Sequence, residues 1–332
     1  MRPGGSGVQT YIRELIAALA RRDDLALVAA VQQDCVADLP AGVQAVARPR
    51  SDGLRRALHA MRAAHDADVV HGLDVDLPWR DGGRPMVATV HDLSVFDVPW
   101  AHSRSRATAE RALLSRALRA ADEIVSVSHF TAERVRARFG RESTVTPLAP
   151  AAWTRVPGEA EVAEVRARLR LPDRFVVQVA SVEPRKDVDL LVRAGALAGL
   201  PVVLAGAGSA AVTGPGQVIG LGYVDQGDLP GIYAAATVVA YLSLYEGFGL
   251  PPLEAMACGA AVVASRTGPM PEVLGQGAAL VGRDEQEVAG VLRDLASDEG
   301  ARAALAAAGR RRAEQFSWDT TAALTAGVYA SL

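Results

Sequence analysis

The stretch TVVAYLSLYEGFGLPPLEAMACG at residues 237–259 shows most directly how this chain folds. It opens with a continuous apolar run, passes through a turn that holds Gly247 and Gly249, and ends in helix-forming residues after Pro251 and Pro252. An apolar run without alternation is typical of a strand buried on both faces in a parallel sheet. Prolines are tolerated in the first turn of a helix. The stretch therefore predicts a strand, a glycine turn and a helix.

The same alternation of apolar runs and amphipathic segments continues along the chain. Further buried strands are predicted at residues 25–31, 69–71, 85–90, 123–127, 175–180, 202–205 and 260–264. Helices are predicted at residues 8–21, 103–120, 131–139, 159–170, 285–295, 301–315 and 319–329. Strands that alternate with helices indicate an α/β fold, here two doubly wound parallel sheets with helices on each side.

The proline-rich segment at residues 147–173 separates the two halves. We expect a Rossmann-like N-terminal domain at residues 1–150, a second Rossmann-like domain at 151–315, and a helical segment at 316–332. The first domain opens directly on the glycine turn at residues 4–7. Either its first strand is absent or the true start lies upstream of Met1.

Composition excludes several classes of protein. The chain has 332 residues, half of them hydrophobic and 22% charged, which suits two globular domains. Its net charge of −3 gives no reason to expect nucleic acid as a partner. Cys35 and Cys258 cannot form a disulfide framework, and we expect them to be reduced thiols in a cytoplasmic protein. The uncharged stretch at 194–224 contains many glycines and prolines, which favours helix end, strand, loop and strand over a membrane span.

The turn after the strand at 237–242 carries two carboxylates eight residues apart, Glu246 in the loop and Glu254 in the helix. A helix N-terminus after a strand is a ready anion site, because its free N–H groups and its dipole point at the ligand. Carboxylates repel bound phosphate, so we expect them to accept hydrogen bonds from sugar hydroxyls. The alternative is an ordinary strand-to-helix turn with Glu254 as a favourable charge near the helix start.

A basic pair, Arg185 and Lys186, follows the predicted strand at 175–180. Ligands bind at the carboxyl ends of strands in such sheets, and the pair would give a diphosphate both a planar fork and a point charge. Lys186 is the one lysine among the 35 lysines and arginines of the chain. The alternative, a solvated helix start, is disfavoured because cations there oppose the helix dipole.

Two histidines in the first half also follow strands. His91 and Asp92 come directly after the strand at 85–90, and this strand-end position favours a functional role for His91. His71 follows a shorter strand and is the weaker candidate. Asp74 and Asp76 have the Asp-x-Asp form of some metal–nucleotide sites, but that spacing is common and recurs at residues 187–189. We expect no metal site.

With these segments in place, the sequence resembles the retaining glycosyltransferases of family 4, which have the two-domain GT-B fold. The resemblance covers nearly the whole chain, and its most specific motif is the E-x7-E segment from Glu246 to Glu254. The other matching motifs lie at residues 7–9, 89–94, 183–186, 222–224, 271–273 and 316–318. The resemblance implies two Rossmann-like domains that face each other across a cleft, with the last helix crossing back onto the first domain.

The resemblance also implies roles for individual residues. Arg185 and Lys186 would hold the donor diphosphate, Glu254 the ribose hydroxyls and Glu246 the hydroxyls of the transferred sugar. His91 would face the reacting sugar. The remaining donor contacts would be made by Gly7 at the diphosphate, Val224 near the base, and the turn Gly247, Phe248, Gly249 and Leu250 at phosphate or sugar. Many relatives have an arginine five residues before the lysine, where this chain has Ser181, so Arg185 must carry more of the binding.

The reaction implied is transfer of a hexose from a nucleotide-diphosphate sugar to a hydroxyl of a glycan, lipid-linked glycan or small molecule. Fixed cations and N–H donors would stabilise the leaving diphosphate without a metal or other cofactor. The His-Asp-Leu-Ser and Glu-Pro-Arg-Lys segments most resemble mannosyltransferases, so GDP-mannose is the first donor to test. The arginines at residues 104, 106, 111, 116 and 119 lie on one predicted helix, and a solvated face is the favoured interpretation. The alternative is contact with anionic lipid at the inner face of the cell membrane.

Three alternatives remain open at this point. The first is a sugar-nucleotide epimerase or hydrolase of the same fold, which would turn over its substrate without an acceptor. The second is a non-catalytic partner of another transferase, against which the joint presence of Arg185, Lys186, Glu246 and Glu254 argues. The third is a dinucleotide dehydrogenase, which the incomplete glycine pattern at residues 4–7 disfavours.

Overall fold

In the computed structural model the chain forms two compact units. The N-terminal unit comprises Met1–Leu148 together with Ser317–Leu332, and the C-terminal unit comprises Ala149–Phe316. The structure describes residues 7–49, 67–74, 77–78 and 83–332, so the predicted glycine turn before Gly7, and Asp76, lie outside the described residues. Every strand pair among the described residues is parallel, which confirms the predicted α/β class.

The N-terminal unit has two parallel sheets in its described part. Its strands are β1 (Val28–Gln32), β2 (Gln44–Arg48), β3 (Val70–Gly72), β4 (Met86–Val90), β5 (Glu123–Ser126) and β6 (Thr144–Val145). Its helices before the C-terminal unit are α1 (Gly7–Leu19), α2 (Ser94–Asp97), α3 (Arg104–Ala120) and α4 (His129–Phe139). Strands β1 and β2 pair with each other, and the other four form a sheet in the order β3-β4-β5-β6.

The core of this unit lies on both faces of β4, because all five residues of that strand are buried. Leu114 and Leu118 of α3 pack in one cluster with Met86, Ala88 and Ile124. Val87 and Val125 point into a second cluster that includes Val328 near the end of the chain. A strand covered on both faces needs apolar residues at every position, which is why the run at 85–90 shows no alternation.

The C-terminal unit has one six-stranded parallel sheet. Its strands are β7 (Val176–Val179), β8 (Val202–Ala205), β9 (Val218–Gly222), β10 (Val238–Tyr241), β11 (Val262–Ser265) and β12 (Ala279–Val281). Its helices are α5 (Glu159–Leu169), α6 (Val188–Ala198), α7 (Leu229–Ala235), α8 (Leu250–Ala257), α9 (Met270–Leu274), α10 (Glu285–Ser297) and α11 (Glu299–Ala313). The chain then returns to the N-terminal unit as α12 (Trp318–Ala330).

The order of the strands in this sheet is β9-β8-β7-β10-β11-β12. The chain therefore builds outward from β7 through β8 to β9, and then returns to the other side of β7 with β10. Val238 and Val239 of β10 pair with Val176 and Val177 of β7. The topological switch point of the sheet therefore lies between the neighbouring strands β7 and β10. Ligands of such sheets bind outside the carboxyl ends of the strands that flank this point.

The uncharged stretch at 194–224 contains the end of α6, strand β8, a turn and strand β9, as predicted. Its glycines meet steric demands of the sheet. Gly206 has φ +135°, and a Cβ there would lie 2.3 Å from the carbonyl oxygen of Ala180. In the part of the chain that the structure describes, no helix has the length and apolar character needed to span a bilayer.

Candidate functional site

The two strands that flank the switch point each end in charged residues. Arg185 and Lys186 follow β7, and Glu246 follows β10. One oxygen of the Glu246 carboxylate accepts a hydrogen bond from Lys186 Nζ at 2.5 Å. The other accepts from an Arg185 Nη at 3.0 Å. The structure thus brings three of the predicted site residues into one cluster, hereafter the carboxylate–cation cluster.

This cluster is shielded from water. The side chains of Lys186, Glu246 and Arg185 are 9%, 12% and 18% exposed. Burial raises the pKa of Glu246, but the nearby positive charges of Lys186 and Arg185 outweigh it, and the pKa lies below its ordinary value. The carboxylate is therefore ionised at neutral pH. Glu183, whose side chain is 41% exposed, also pairs with Arg185 at 2.9 Å, so the two cations face one buried and one partly exposed carboxylate.

Backbone contacts hold the basic pair at the switch point. Pro184–Lys186 forms a single 3-10 turn, and the N–H of Leu244, at the end of β10, donates to the Arg185 carbonyl at 2.7 Å. Gln178, buried in β7, donates to the Lys186 carbonyl at 3.4 Å. The loops after β7 and β10 are therefore joined directly, which fixes the cations relative to Glu246.

Asp187 and Arg283 support this turn and were missed by sequence reasoning. Asp187 has φ +44°, a left-handed conformation that is strained for a residue with a Cβ. Its carboxylate forms an ion pair with Arg283, on the loop between β12 and α10. The sequence showed Asp187 only as part of an Asp-x-Asp pair and held no signal for Arg283.

The second carboxylate of the motif lies on the adjacent helix. Glu254 is buried at 7% exposure in α8. Gly249 caps this helix with φ +96°, and a Cβ there would lie 2.9 Å from Met270 Sδ, so the position requires glycine. Gly247, Phe248 and Leu250 are also buried. The predicted contacts of this turn with phosphate or sugar stay a prediction.

Val224 lies at the same edge of the sheet, two residues after β9. It is half-buried, and its neighbour Tyr223 is 62% exposed. Strand β9 is separated from β7 by β8, so Val224 lies two strands away from the cluster. The expected contact of Val224 with the base stays a prediction.

The other predicted residues belong to the N-terminal unit. His91 directly follows β4, and its ring Nε2–H donates to the carbonyl of Leu73 at 2.9 Å. The ring packs edge-on against Tyr11, with 4.8 Å between centroids. Gly7 is the exposed first residue of α1. His71, the weaker candidate, is bound at both ring nitrogens, to Tyr329 and Thr89.

The five arginines of α3 considered for membrane contact are partly engaged within the protein. Arg111 donates to the carbonyl of Val95, and Arg116 to those of Leu77 and Pro78. Arg106 pairs with Glu110 on the same helix. Three of the five therefore have partners in the chain, and the membrane contact stays a prediction. Within the described ranges, no cluster of His, Cys, Asp or Glu is arranged to hold a metal ion.

Two α/β units, one of them with a Rossmann-type strand order and a buried basic pair at its switch point, define the GT-B class of glycosyltransferase. The chain belongs to glycosyltransferase family 4. The domain described as Glycosyltransferase Family 4 matches residues 5–149, and the domain described as Glycosyl transferases group 1 matches residues 162–312. The resemblance seen in the sequence is confirmed, and the protein is a glycosyltransferase.

Relatives and solved structures agree with this assignment. The chain is 31% identical over 297 residues to O-antigen chain mannosyltransferase B of Escherichia coli, covering 83% of this chain and 77% of that protein. It is 32% identical over 322 residues to D-inositol 3-phosphate glycosyltransferase of Salinispora arenicola, covering 83% and 71%. The crystal structure of Anabaena HepE in complex with UDP and glucose superposes with a TM-score of 0.78 at 20% identity, covering 100% and 98%.

Proposed function

We propose that this glycosyltransferase moves a hexose, with retention of anomeric configuration, from a nucleotide-diphosphate sugar to a hydroxyl of a glycan, glycolipid or small molecule. The observation that carries the proposal is the carboxylate–cation cluster at the switch point of the C-terminal sheet. The side chains of Lys186 and Arg185 are largely buried, and backbone contacts fix the turn that carries them. Such a pair is suited to bind a diphosphate.

The chemistry follows from where charge develops. As the bond between the anomeric carbon and the diphosphate oxygen breaks, negative charge grows on the leaving nucleoside diphosphate. Lys186 and Arg185 would stabilise that charge without reorganisation, because they are already held in place. The acceptor oxygen would attack from the face that the diphosphate leaves, and its proton would pass to a leaving phosphate oxygen. This route requires no carboxylate nucleophile of the kind that retaining hydrolases use.

The other roles in the proposal come from the family resemblance. Glu254, buried on α8, would accept from the ribose hydroxyls, and Glu246 from hydroxyls of the transferred sugar. For Glu246 this requires a change of partners, because both of its oxygens are bound to Arg185 and Lys186. His91 would meet the reacting sugar. Fixed cations at the diphosphate make the transfer independent of a divalent metal.

The donor is the least constrained part of the proposal. One relative is a mannosyltransferase by name, which supports GDP-mannose as the first donor to test. The superposed HepE structure contains UDP and glucose, so UDP-glucose is the second. Thermal shift with a panel of nucleotide sugars, followed by transfer assays with the donors that stabilise the protein, tests the proposal. NMR of the product reads the anomeric configuration, and an inverted product would overturn retention.

The same panel separates the alternative of an epimerase or hydrolase. Under the proposal, sugar release or epimerisation without an acceptor is slow compared with transfer. Rapid turnover of the donor alone, with no increase on adding glycan acceptors, would favour the alternative. Donor binding without turnover under any condition would favour a non-catalytic binding partner.

A further inference from the structure

Four side chains form a continuous hydrogen-bonded chain through the interior of the N-terminal unit. The hydroxyl of Tyr11 lies 2.9 Å from Thr89 Oγ1. Thr89 Oγ1 lies 2.8 Å from His71 Nε2, and His71 Nδ1 lies 2.6 Å from the Tyr329 hydroxyl. Tyr11 is fully buried and Thr89 is 1% exposed. The chain thus joins α1, β4, β3 and α12, from the centre of the unit to its last helix.

The direction of these hydrogen bonds follows from what each group can donate. Among the described residues, Thr89 is the one hydrogen-bond partner of the Tyr11 hydroxyl. If Thr89 donated to Tyr11, the Tyr11 O–H would be buried without an acceptor, which is costly. Tyr11 therefore donates to Thr89, Thr89 to His71 Nε2, and His71 Nδ1–H to Tyr329. His71 is held as the neutral Nδ1–H tautomer.

His71 stays neutral over the whole range in which proteins are assayed. Burial, and secondarily the electrostatic influence of the neighbouring His91, lower its pKa to about 3. A neutral imidazole with both nitrogens bonded cannot act as a base or an acid towards a substrate. His71 is therefore a link in a fixed structure rather than a group that exchanges protons.

Tyr11, at the inner end of this hydrogen-bonded chain, contacts His91, a predicted site residue of the N-terminal unit. The ring of Tyr11 lies edge-on against the ring of His91, at 82° between planes. His91 also donates from Nε2 to the carbonyl of Leu73, two residues after His71. Two contacts therefore orient the His91 imidazole. One is made by Tyr11, which belongs to the hydrogen-bonded chain, and the other by Leu73, which lies close to His71 in the sequence. Among the residues that the structure describes, none is hydrogen-bonded to Nδ1 of His91, which is the ring nitrogen that a ligand would meet.

We propose that the chain Tyr11–Thr89–His71–Tyr329 positions the imidazole of His91, and that Tyr329 on the last helix is its outer anchor. The four are positioning residues that act through His91. The inference rests on the proposed function in one respect only, namely that His91 meets the reacting sugar. It assigns the returning helix α12 a part in the site in addition to its packing.

The first test is structural and independent of activity. Nitrogen-15 NMR of the imidazole rings reads tautomers directly, and the six histidines can be assigned by single substitutions. We expect His71 to be the neutral Nδ1–H form at pH 6. In Tyr329→Phe the acceptor for Nδ1–H is lost, so the His71 imidazole keeps one of its two hydrogen bonds and its Nδ1 resonance should shift. His91 resonances should shift in the same variant.

The second test is kinetic. Thr89→Val removes the central hydroxyl while keeping the shape of the side chain, and should lower kcat about tenfold, about 1.4 kcal/mol of transition-state stabilisation, with KM for the donor changed less than about threefold. Thr89→Ser restores the hydroxyl and should restore kcat. The matched control is Thr325→Val, at a buried threonine on α12 whose hydroxyl donates within the helix, to the carbonyl of Thr321. It should lower stability without changing kcat or the His91 resonances.

Unchanged His91 resonances and parent kcat in both Thr89→Val and Tyr329→Phe would overturn the proposal. So would an equal loss of kcat in Thr325→Val, because the effect would then be one of general stability. If no sugar nucleotide is turned over by the parent protein, the proposed function fails, but the His71 tautomer and the His91 shifts still decide whether the chain positions this ring.

Discussion

Replacing Glu246 by glutamine tests whether this carboxylate competes with a diphosphate for binding to Lys186 and Arg185. Its two oxygens accept from Lys186 at 2.5 Å and from Arg185 at 3.0 Å. A hydrogen bond to a charged group contributes about 1.5–3 kcal/mol, so an incoming diphosphate displaces roughly 3–6 kcal/mol of interaction. Glutamine keeps one acceptor oxygen but has no charge, so its interaction with the two cations is at most about half as strong as that of glutamate.

We expect Glu246→Gln to bind a bare nucleoside diphosphate about tenfold more tightly than the parent, a gain of about 1.4 kcal/mol that is smaller than the displaced interaction because water solvates the freed cations. Turnover of the intact donor should fall, because a charged acceptor for the sugar hydroxyls is lost. The free variant should also be less stable, by up to about 3–5 kcal/mol, since two buried cations lose their counterion. Calorimetric titration with UDP and GDP and urea unfolding measure these effects.

Glu183→Gln is the matched control. Glu183 also pairs with Arg185, at 2.9 Å, but its side chain is 41% exposed. Exposed ion pairs contribute about 0–1 kcal/mol, so the affinity for nucleoside diphosphate should change less than about fivefold. If Glu246→Gln instead weakens nucleoside diphosphate binding tenfold or more, the carboxylate does not compete for these cations and the reasoning is refuted.

Four further predictions follow from the same site. Glu254→Gln should weaken binding of a bare nucleoside diphosphate about tenfold in the same titration, because a buried acceptor for ribose is lost; an unchanged Kd would contradict this. Lys186→Arg should fold normally but lose at least about tenfold in kcat/KM, and donor should protect Lys186 from acylation as read by mass spectrometry; parent-rate turnover would show that Lys186 does not act on the diphosphate. Transfer should keep its rate in EDTA; abolition with recovery on adding Mg²⁺ would reverse the metal-independent account. Burial raises the pKa of Glu246, but Lys186 and Arg185 hold this pKa below its ordinary value of 4.5. The ion pairs of Glu246 should therefore stabilise the protein fully above pH 4.5, and less as the pH falls through the lowered pKa. Urea unfolding at decreasing pH should therefore show a weaker pH dependence in Glu246→Gln than in the parent.

The strands of the C-terminal sheet could be predicted because each is a short apolar run buried on both faces. The strand predicted at 202–205 has the observed bounds, and the one predicted at 175–180 exceeds Val176–Val179 by one residue at each end. Strand β2 (Gln44–Arg48) was not predicted. None of its residues is fully buried, and it pairs only with β1, so its short sequence carries no strong apolar pattern.

The positions of Arg185, Lys186 and Glu246 could be predicted, but their pairing could not. Each follows a strand, and that much is visible in the sequence. Their contact depends on β7 and β10 being neighbours, which is a property of the strand order. Many orders would satisfy the same alternation of strands and helices. The order observed brings together two loops that are 60 residues apart, and only then does Glu246 become the counterion of the basic pair.

His71 shows a different limit of reasoning from sequence. The sequence predicts that His71 follows a strand, as a weak candidate for catalysis, but the structure places it within β3, with both ring nitrogens hydrogen-bonded. Its importance lies in its hydrogen-bond partners, Thr89 and Tyr329, which are 18 and 258 residues away in the sequence. Because buried polar groups must be satisfied, a neutral histidine with two partners imposes one direction on every hydrogen bond in its chain. The last helix, which the resemblance placed on the first unit, thereby supplies the acceptor on which the orientation of Tyr11 and His91 depends.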